Sequence, residues 1–579
     1  KTDALYGDDG VVDQISEFRG PRNLAKKLSS ERIIHFRDGK SAFAYANKYS
    51  RMSLSEAVLN SITHDAQAIG LLETFGTNPR KMFELVVREM QQEAKADPKA
   101  FGRISTRVLN NQFAELDGTT RARGAGQPVW GLNTDFAGIA AGVRMIQNMA
   151  KLGFATISSV SDLGTKAAFI NANTERGVFG SYAVALRDTF RLFNNKEQKE
   201  LAYLLSVGVE NMLGDVHARF GANDSGPGAI AKAHQMFFKL NGMAWWNNAQ
   251  KTGIARMLSA DLANYTKRSF DKVPSETQRL LRLYGIGETE WSALRSLDMK
   301  AVDGRRYVVP NQMEELADDV IDPIIRDKAG VLDITDKMRQ EFKDDLRTKF
   351  SAYLTDSADT AIPTPGARER AIMNQGLPRG TVGGEAIRLV MQLKGFPITY
   401  ITKGMSRQLA NGGMVGVAKM MVGTTMMGYL ANAMKDVLKG REPQEVFGED
   451  YTLNTQTLTR AFVQGGGAGI YGDFLFGEFN RYGQSPLQTF AGPTLGTAED
   501  ILKLYAKFRD GDDASAAAVS LAVRNTPFIN LFYTKMAMDY LFIYELQEFA
   551  NPGYLKRMER RMAKDTGQDF YFPPSQAVR

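Results

Sequence analysis

The feature that most constrains the fold is a stretch of 23 residues, Asn411–Ala433, with a single charge, Lys419. A helix of about 20 residues crosses the hydrocarbon core of a bilayer, so this stretch is long enough to span a membrane. The alternative is a helix buried in a core or at an interface between copies. Lys419 near the middle argues against a permanent anchor. This charge and the abundant glycine and methionine of the stretch are compatible with a helix that is buried in one assembly and inserts into lipid in another.

This stretch supplies the candidates for contact with a membrane or a partner. Methionine side chains are adaptable, so one surface can pack against more than one partner. The candidate contact residues are Met414, Met420, Met421, Met426 and Met427. Gly412 and Gly416 have the small-residue spacing that lets two helices approach closely. Two other apolar or aromatic stretches, 136–170 and 514–549, are interpreted in the same two ways.

Helical periodicity dominates the rest of the chain. Ser53 and Glu56 have the spacing of a capping box ahead of an apolar stripe, and Thr497 is predicted to cap another helix. Alternation typical of strands is scarce, and its best example is the short run 307–309. We therefore predict a mainly α protein, an elongated multi-helix assembly unit with Gly/Pro-rich connectors and membrane-capable C-terminal helices.

Clusters of glycine and proline divide the chain. They lie at residues 118–127, 221–228, 360–383 and 465–472, and 360–383 is the best linker candidate. The predicted regions are an N-terminal helical region, 1–125; a central helical region, 126–300; a helical region with a linker, 301–383; and a C-terminal region, 384–579. The last region carries the apolar helices and a loop with the sequence GDFLFGEFNRYG.

The composition excludes several kinds of chemistry. The chain has no cysteine, so it has no disulfide, no thiol nucleophile and no Cys-ligated metal site. The four histidines, at 35, 64, 217 and 234, are scattered, and the only GxGxxG match, at 467–472, has the context of a loop. We predict no catalytic, cofactor-binding or metal-binding residue and no enzyme activity for this chain.

Charge points to one basic segment near the end of the chain. Lys and Arg total 72 against 65 Asp and Glu, a mild net charge of +7. Part of it lies between Tyr554 and Asp565, where the candidate anion contacts are Lys556, Arg557, Arg560, Arg561 and Lys564. This segment is interpreted either as a solvated helix face or as a helix that contacts DNA or lipid headgroups.

Three groups of residues have a familiar sequence. The first is Arg32–Arg37 with Ala44–Tyr49 and Leu71–Pro79; the second is Phe237–Trp246; the third and strongest is Tyr471–Gly483 with Ala491–Gly496. These groups resemble segments of the large internal virion proteins of short-tailed bacteriophages. Members of this group are DNA-ejection proteins. They are packed on the portal as a core, leave the virion ahead of the genome and are implied to build a conduit across the host envelope.

The resemblance implies an internal core protein that is ejected with the genome. Its expected partners are copies of itself in a ring or stack, other internal virion proteins, the portal, double-stranded DNA without sequence specificity, and the host inner membrane. Its expected location is the capsid interior, and after ejection the host periplasm and inner membrane. Some members carry an N-terminal transglycosylase domain whose motif this chain lacks. The chain starts at Lys1, which suggests a processed chain or the C-terminal part of a longer one, or it is a non-enzymatic version.

Two alternatives stay open. One is a static structural protein of the capsid or portal that never leaves the particle. The other is a peptidoglycan-cleaving virion enzyme. The ejection hypothesis agrees with the composition, because a chain that passes through a tail must unfold and refold. The lack of disulfides permits this, and helices re-form quickly.

Overall fold

The structure is a computed structural model, and most of the chain is described in it. The described residues are 36–49, 54–96, 105–120, 136–190, 200–202, 204–205, 228–331, 333–448, 451–467, 493–510 and 514–578. They are mainly helical, which confirms the predicted class. The strands among them, Lys300–Val302 and Arg305–Tyr307, form one antiparallel pair. The second strand ends at Tyr307, earlier than predicted, because the Val309 amide donates to Gln312 Oε1 and begins a short helix at Pro310.

The chain forms two compact units. The first comprises residues 1–140, 225–229 and 366–388. Its helices are Gly39–Tyr49, Leu54–Phe75, Pro79–Ala96, Thr106–Leu116 and Ala367–Asn374. The rings of Phe75, Phe83 and Phe113 pack together, with centroids 4.3 Å apart for the stacked pair Phe83 and Phe113. Buried Glu115 accepts a hydrogen bond from Asn374 Nδ2 at 2.7 Å.

The stretch 360–383, predicted as a linker, is packed and partly helical. It contains the helix Ala367–Asn374, whose first turn is stabilised by a hydrogen bond from the Gly366 amide to Glu369 Oε2. Ala371 and Met373 in this helix are buried. The boundary between the two units, after Pro365, also falls within this stretch. The predicted division into four regions stays a prediction.

The second unit comprises residues 141–224, 230–365 and 389–579. Its α-helices are Ala155–Ser158, Asp162–Asn173, Val178–Phe190, Met243–Tyr265, Ser275–Leu283, Glu288–Arg295, Asp318–Ala329, Asp336–Ala361, Gly395–Thr399, Ser406–Leu438, Thr455–Phe462, Pro493–Asp510, Ser515–Asn525, Lys535–Met538, Tyr544–Ala550, Tyr554–Thr566 and Pro574–Ala577. Three further helices, Phe136–Lys151, Gly228–Leu240 and Val382–Val390, each contain residues of both units. Short 3₁₀ segments are Ser159–Ser161, Phe270–Lys272 and Pro310–Glu315, and π-helical segments are Tyr400–Met405, Val463–Gly467 and Asp539–Ile543.

The core of this unit surrounds the helix Met243–Tyr265, which is buried on nearly all sides. It packs against Asp336–Ala361, and Lys251 Nζ donates to Asp359 Oδ1 at 2.6 Å between them. The largest apolar side chains of the core include Trp291 and Phe350. Because this helix is buried on nearly all sides, other elements of the unit pack around it.

A buried lysine lies between three helices of this core. Lys166, on Asp162–Asn173, is 1% exposed, and its Nζ donates to Thr189 Oγ1 at 2.6 Å. Burial lowers the pKa of Lys166 to about 7; the nearby Asp188 carboxylate raises it and the Arg256 guanidinium lowers it further. Charging this amine inside the core is therefore unfavourable.

Two predicted helix starts can be compared with the structure. Thr497 does not cap a helix, because the helix begins at Pro493, and proline is well suited to the first helical position. Thr497 Oγ1 instead donates to the Pro493 carbonyl at 3.0 Å from inside the helix. The other predicted helix does begin at Leu54, but its predicted cap, Ser53, lies outside the described residues.

Candidate functional site: an apolar helical hairpin beside a basic helix

The long apolar stretch is not one straight helix. Residues 395–438 are helical throughout except at Gly413, whose φ is 59° and ψ is −153°. In a straight helix, residues eight apart are separated by about 12 Å along the axis. A Cβ on Gly416 would nevertheless lie only 2.8 Å from the carbonyl oxygen of Gln408. The chain therefore reverses at Gly413, and we call residues 395–412 the first arm and 414–438 the second arm of a hairpin.

Contacts farther along the arms fix their register. A Cβ on Gly404 would lie 2.8 Å from Met420 Cε, and Tyr400 Oη lies 3.1 Å from Thr424 Oγ1. Residues 408, 404 and 400 of the first arm thus face residues 416, 420 and 424 of the second arm, as expected for two antiparallel helices. Phe396, Tyr400 and Met420 form the buried apolar cluster between the arms. The arms are antiparallel over at least this length.

The predicted glycine pair lies at the reversal. Gly416 does permit a close approach, but to the first arm of the same chain. Gly412 has no atom within 4 Å of its Cβ position. Packing of these two glycines against another chain stays a prediction. A Gly-Gly pair is an ordinary turn signal, so the sequence held evidence for the hairpin at Gly412 and Gly413 that the four-residue spacing obscured.

Other glycines, which the motif search missed, seat the second arm on the core. Gly164 lies on the helix Asp162–Asn173, and a Cβ on Gly164 would lie 2.8 Å from Thr424 Cα of the second arm. On the other side, a Cβ on Gly428 would lie 2.2 Å from the Ala461 carbonyl oxygen, and one on Gly465 would lie 1.8 Å from the Thr424 carbonyl oxygen. Backbones approach this closely only where side chains are absent.

We call the close contacts at Gly164, Gly428 and Gly465 the glycine seat, and they give a direct prediction. Replacing Gly465 by Ala is expected to destabilise the fold by about 3 kcal/mol, because the methyl group would overlap backbone atoms that a rotamer change cannot move. Urea unfolding of both proteins measures the difference. The matched control is Gly412→Ala, which meets no atom and should leave stability within about 1 kcal/mol. Equal stability of the two variants would contradict the seat.

The outward face of the second arm is apolar and exposed. It carries Met414, Val415, Val422, Met426, Leu430 and Val437, with Met414 73% and Met426 62% exposed. Lys419 is exposed on the same helix. Of the predicted methionines, Met414 and Met426 therefore lie on this face, Met421 and Met427 are half-buried, and Met420 is buried between the arms. By length and composition, the helical segment 395–438, which contains both arms, is the one among the described residues that could cross a membrane.

Ion pairs lie near both ends of the hairpin. At the first arm, Asp356 accepts a hydrogen bond from Tyr284 Oη at 2.5 Å and lies 3.9 Å from Lys403 Nζ and 3.8 Å from Arg407 Nη2. At the end of the second arm, Asp436 is 1% exposed and is bound by Arg460 through two hydrogen bonds of 3.0 and 3.2 Å. The hairpin is thus attached to the core by charged contacts at its ends and by glycine packing between them.

The basic segment is a helix with its charges on one side. In the helix Tyr554–Thr566, Leu555 and Met562 are buried. All five predicted anion contacts are exposed: Lys556, Arg557, Arg560, Arg561 and Lys564. Arg557 Nη1 donates to the Pro552 carbonyl at 3.0 Å, which orients its guanidinium near the helix start. The preceding helical segment, 535–550, exposes the apolar side chains of Leu541, Phe542, Leu546 and Phe549.

The described residues contain no group of three acidic or histidine side chains placed to bind a metal ion. An open groove of 530 Å³ is lined by two carboxylates, Asp356 and Asp359, together with hydroxyl groups on one face of Asp336–Ala361. Both carboxylates are paired with cations, Asp359 with Lys251 and Asp356 with Lys403 and Arg407. These ion pairs connect the helix Asp336–Ala361 to the helices packed against it.

Several predicted features lie wholly or partly outside the described residues. They are Arg32–His35 of the first resembling group, the turn clusters 121–127 and 221–227, the GxGxxG residues 468–472, the GDFLFGEFNRYG loop and residues 491–492. His35 and His217 also lie outside them. His234 is buried against Phe238, with ring centroids 4.9 Å apart.

Comparison of the chain with protein-family models, with curated proteins and with solved structures finds no match.

Proposed function

We propose that the chain is an internal core protein of a short-tailed bacteriophage that is ejected with the genome and helps to form a DNA conduit across the host envelope. The resemblance of its three groups of residues supports the phage assignment. The observation that carries the membrane part of the proposal is the exposed apolar face of the second arm, which includes Met414 and Met426.

The second arm has suitable dimensions for a bilayer. Its 25 residues, Met414–Leu438, would extend about 37 Å as a helix, more than the roughly 30 Å of a hydrocarbon core. Only a third of the most apolar window of residues 395–438 is buried, whereas the core helix of a soluble protein is mostly buried. Lys419, the sixth residue of the second arm, is unfavourable against lipid and favours insertion in a ring, where such a side chain can face water.

The basic helix supplies the electrostatic part of the proposal. Five exposed cations on one helix attract an anionic lipid surface, each with about 1 kcal/mol, and the exposed Phe542 and Phe549 on the preceding segment suit the headgroup boundary. The same cations can contact DNA phosphates as the genome passes, without reading sequence.

Reversing the charge of the basic helix tests this contact. The variant with Lys556, Arg557, Arg560 and Arg561 all changed to Glu is expected to bind anionic vesicles at least 100-fold more weakly in flotation assays, and salt should weaken the wild type similarly. The control variant changes four other exposed cations to Glu: Lys267, Lys272, Lys300 and Arg306. Equal losses in both variants would show that only net charge matters.

Ejection itself is tested on the particle. Mass spectrometry of full and emptied virions is expected to find the chain before genome release and not after it. Retention in emptied particles would favour the alternative of a static capsid or portal protein. Peptidoglycan release by the purified chain would favour the enzyme alternative.

A further inference from the structure

The hairpin depends on the backbone of one residue. Both arms are helical, and only Gly413 between them departs from helical geometry. Its φ of 59° and ψ of −153° lie in a region that is essentially restricted to glycine. Neither Gly412 nor Gly413 has any atom within 4 Å of its Cβ position, so no packing fixes the reversal from outside.

Opposing contributions to the free energy act on the bent form and on a continuous helix. The bend leaves the last carbonyls of the first arm and the first amides of the second arm without helical partners, and a continuous helix would pair them. Against this, the hairpin interior buries few large apolar side chains, Phe396, Tyr400 and Met420, among glycines and Gln408.

The two arms are attached to the core differently. The first arm is bound by Asp356 through Lys403 and Arg407, and Gln408 Nε2 donates to the Ala168 carbonyl at 3.1 Å. The second arm has glycine contacts and the Asp436–Arg460 pair on one side and an exposed apolar face on the other. The second arm is the one whose exposed apolar face would gain contacts by leaving its seat, at the expense of the glycine contacts and the buried pair.

We infer that Gly413 is a hinge, and that residues 395–438 convert from the hairpin into one continuous helix when the second arm leaves its seat. The change needs a new backbone conformation at a single residue, and the product would be about 66 Å long. The hinge rests on the geometry alone, whereas its use in delivering the second arm to lipid rests on the proposed function.

Distances between two labels test the hinge. Because the chain has no cysteine, Ser406→Cys with Met426→Cys gives two unique spin-label sites, both exposed. The expected separation is about 15 Å in the hairpin and about 30 Å in a continuous helix. Gly413→Ala, whose methyl group is excluded from the bent conformation, should move the main population to about 30 Å. Gly412→Ala, at a position with no positive φ, should keep about 15 Å.

The labelled wild type covers the case in which Gly413→Ala does not fold. On vesicles containing anionic lipid it should show the 30 Å population, while flotation reports binding separately. A short distance in folded Gly413→Ala, or a short distance in wild type that floats with vesicles, would overturn the hinge. A long distance in Gly413→Ala without vesicle binding by the wild type would support the hinge and remove the membrane role.

Discussion

Replacing Arg460 by methionine is expected to destabilise the protein by about 3–5 kcal/mol. Asp436, its partner, is 1% exposed and accepts two hydrogen bonds from this guanidinium. Removing the cation leaves a buried carboxylate without its main partner, which is far more unfavourable than the intact pair is favourable. Methionine keeps the aliphatic part of the arginine side chain, so the loss of stability measures the effect of removing the guanidinium. Urea unfolding at neutral pH measures it.

Two controls separate this effect from a general loss of charge. Lys503→Met breaks an exposed pair in which Lys503 Nζ lies 2.8 Å from Glu499 Oε1. This substitution should change stability by less than about 1 kcal/mol. The double variant Asp436→Asn with Arg460→Met should recover part of the loss, because the carboxylate that Arg460 had paired no longer carries a charge. A loss below about 1 kcal/mol in Arg460→Met would show that the pair does not attach the second arm.

Replacing Lys166 by methionine is expected to stabilise the protein, by up to about 5 kcal/mol below pH 7. The pKa of Lys166 falls from the ordinary 10.5 to about 7 on burial, and each unit corresponds to about 1.4 kcal/mol. Between these values the unfolded chain binds the proton and the folded chain does not, so wild-type stability rises with pH from 7 to about 10. Below pH 7 the full penalty of the buried charge is present.

The pH profile distinguishes this mechanism from simple repacking. The gain from Lys166→Met should shrink as the pH rises from 7 towards 10, whereas a packing effect would be independent of pH. Asp188 keeps Arg187, whose Nε lies 3.0 Å from its carboxylate, so the substitution does not isolate it. Lys300→Met, at an exposed site, is the control and should leave the profile unchanged. Identical profiles for all three proteins would refute the assignment.

A feature of this structure can be predicted from the sequence when it depends only on residues that are neighbours along the chain. The helical class follows from periodicity, and the helix of the second arm from its length and apolar composition, because both are local properties of the chain. The reversal at Gly413 is local as well. A Gly-Gly pair is an ordinary turn signal, but we did not predict a turn at this pair. The spacing of Gly412 and Gly416 has the same pattern as an intermolecular packing motif, so pattern alone does not distinguish a turn from an interface.

The candidate contacts depend on tertiary structure and were predicted only as a set. Five methionines were grouped by composition, yet Met426 faces outward and Met420 lies between the arms, because the register of the hairpin decides each one. Gly465 could not be identified from sequence, since its role arises from the Thr424 carbonyl 41 residues earlier. The basic helix was easier, because five cations on one face need no partner to be recognised.

Fluorescence at Met426 tests most directly the claim that the outward face of the second arm enters lipid. A single cysteine at this position carries an environment-sensitive dye, and Leu283→Cys, at a site 63% exposed on another helix of the same unit, is the reference. On vesicles containing anionic lipid, the dye at 426 should shift to shorter wavelength and become protected from an aqueous quencher, while the dye at 283 should not change. Continued quenching at 426 on vesicle-bound protein would contradict the account.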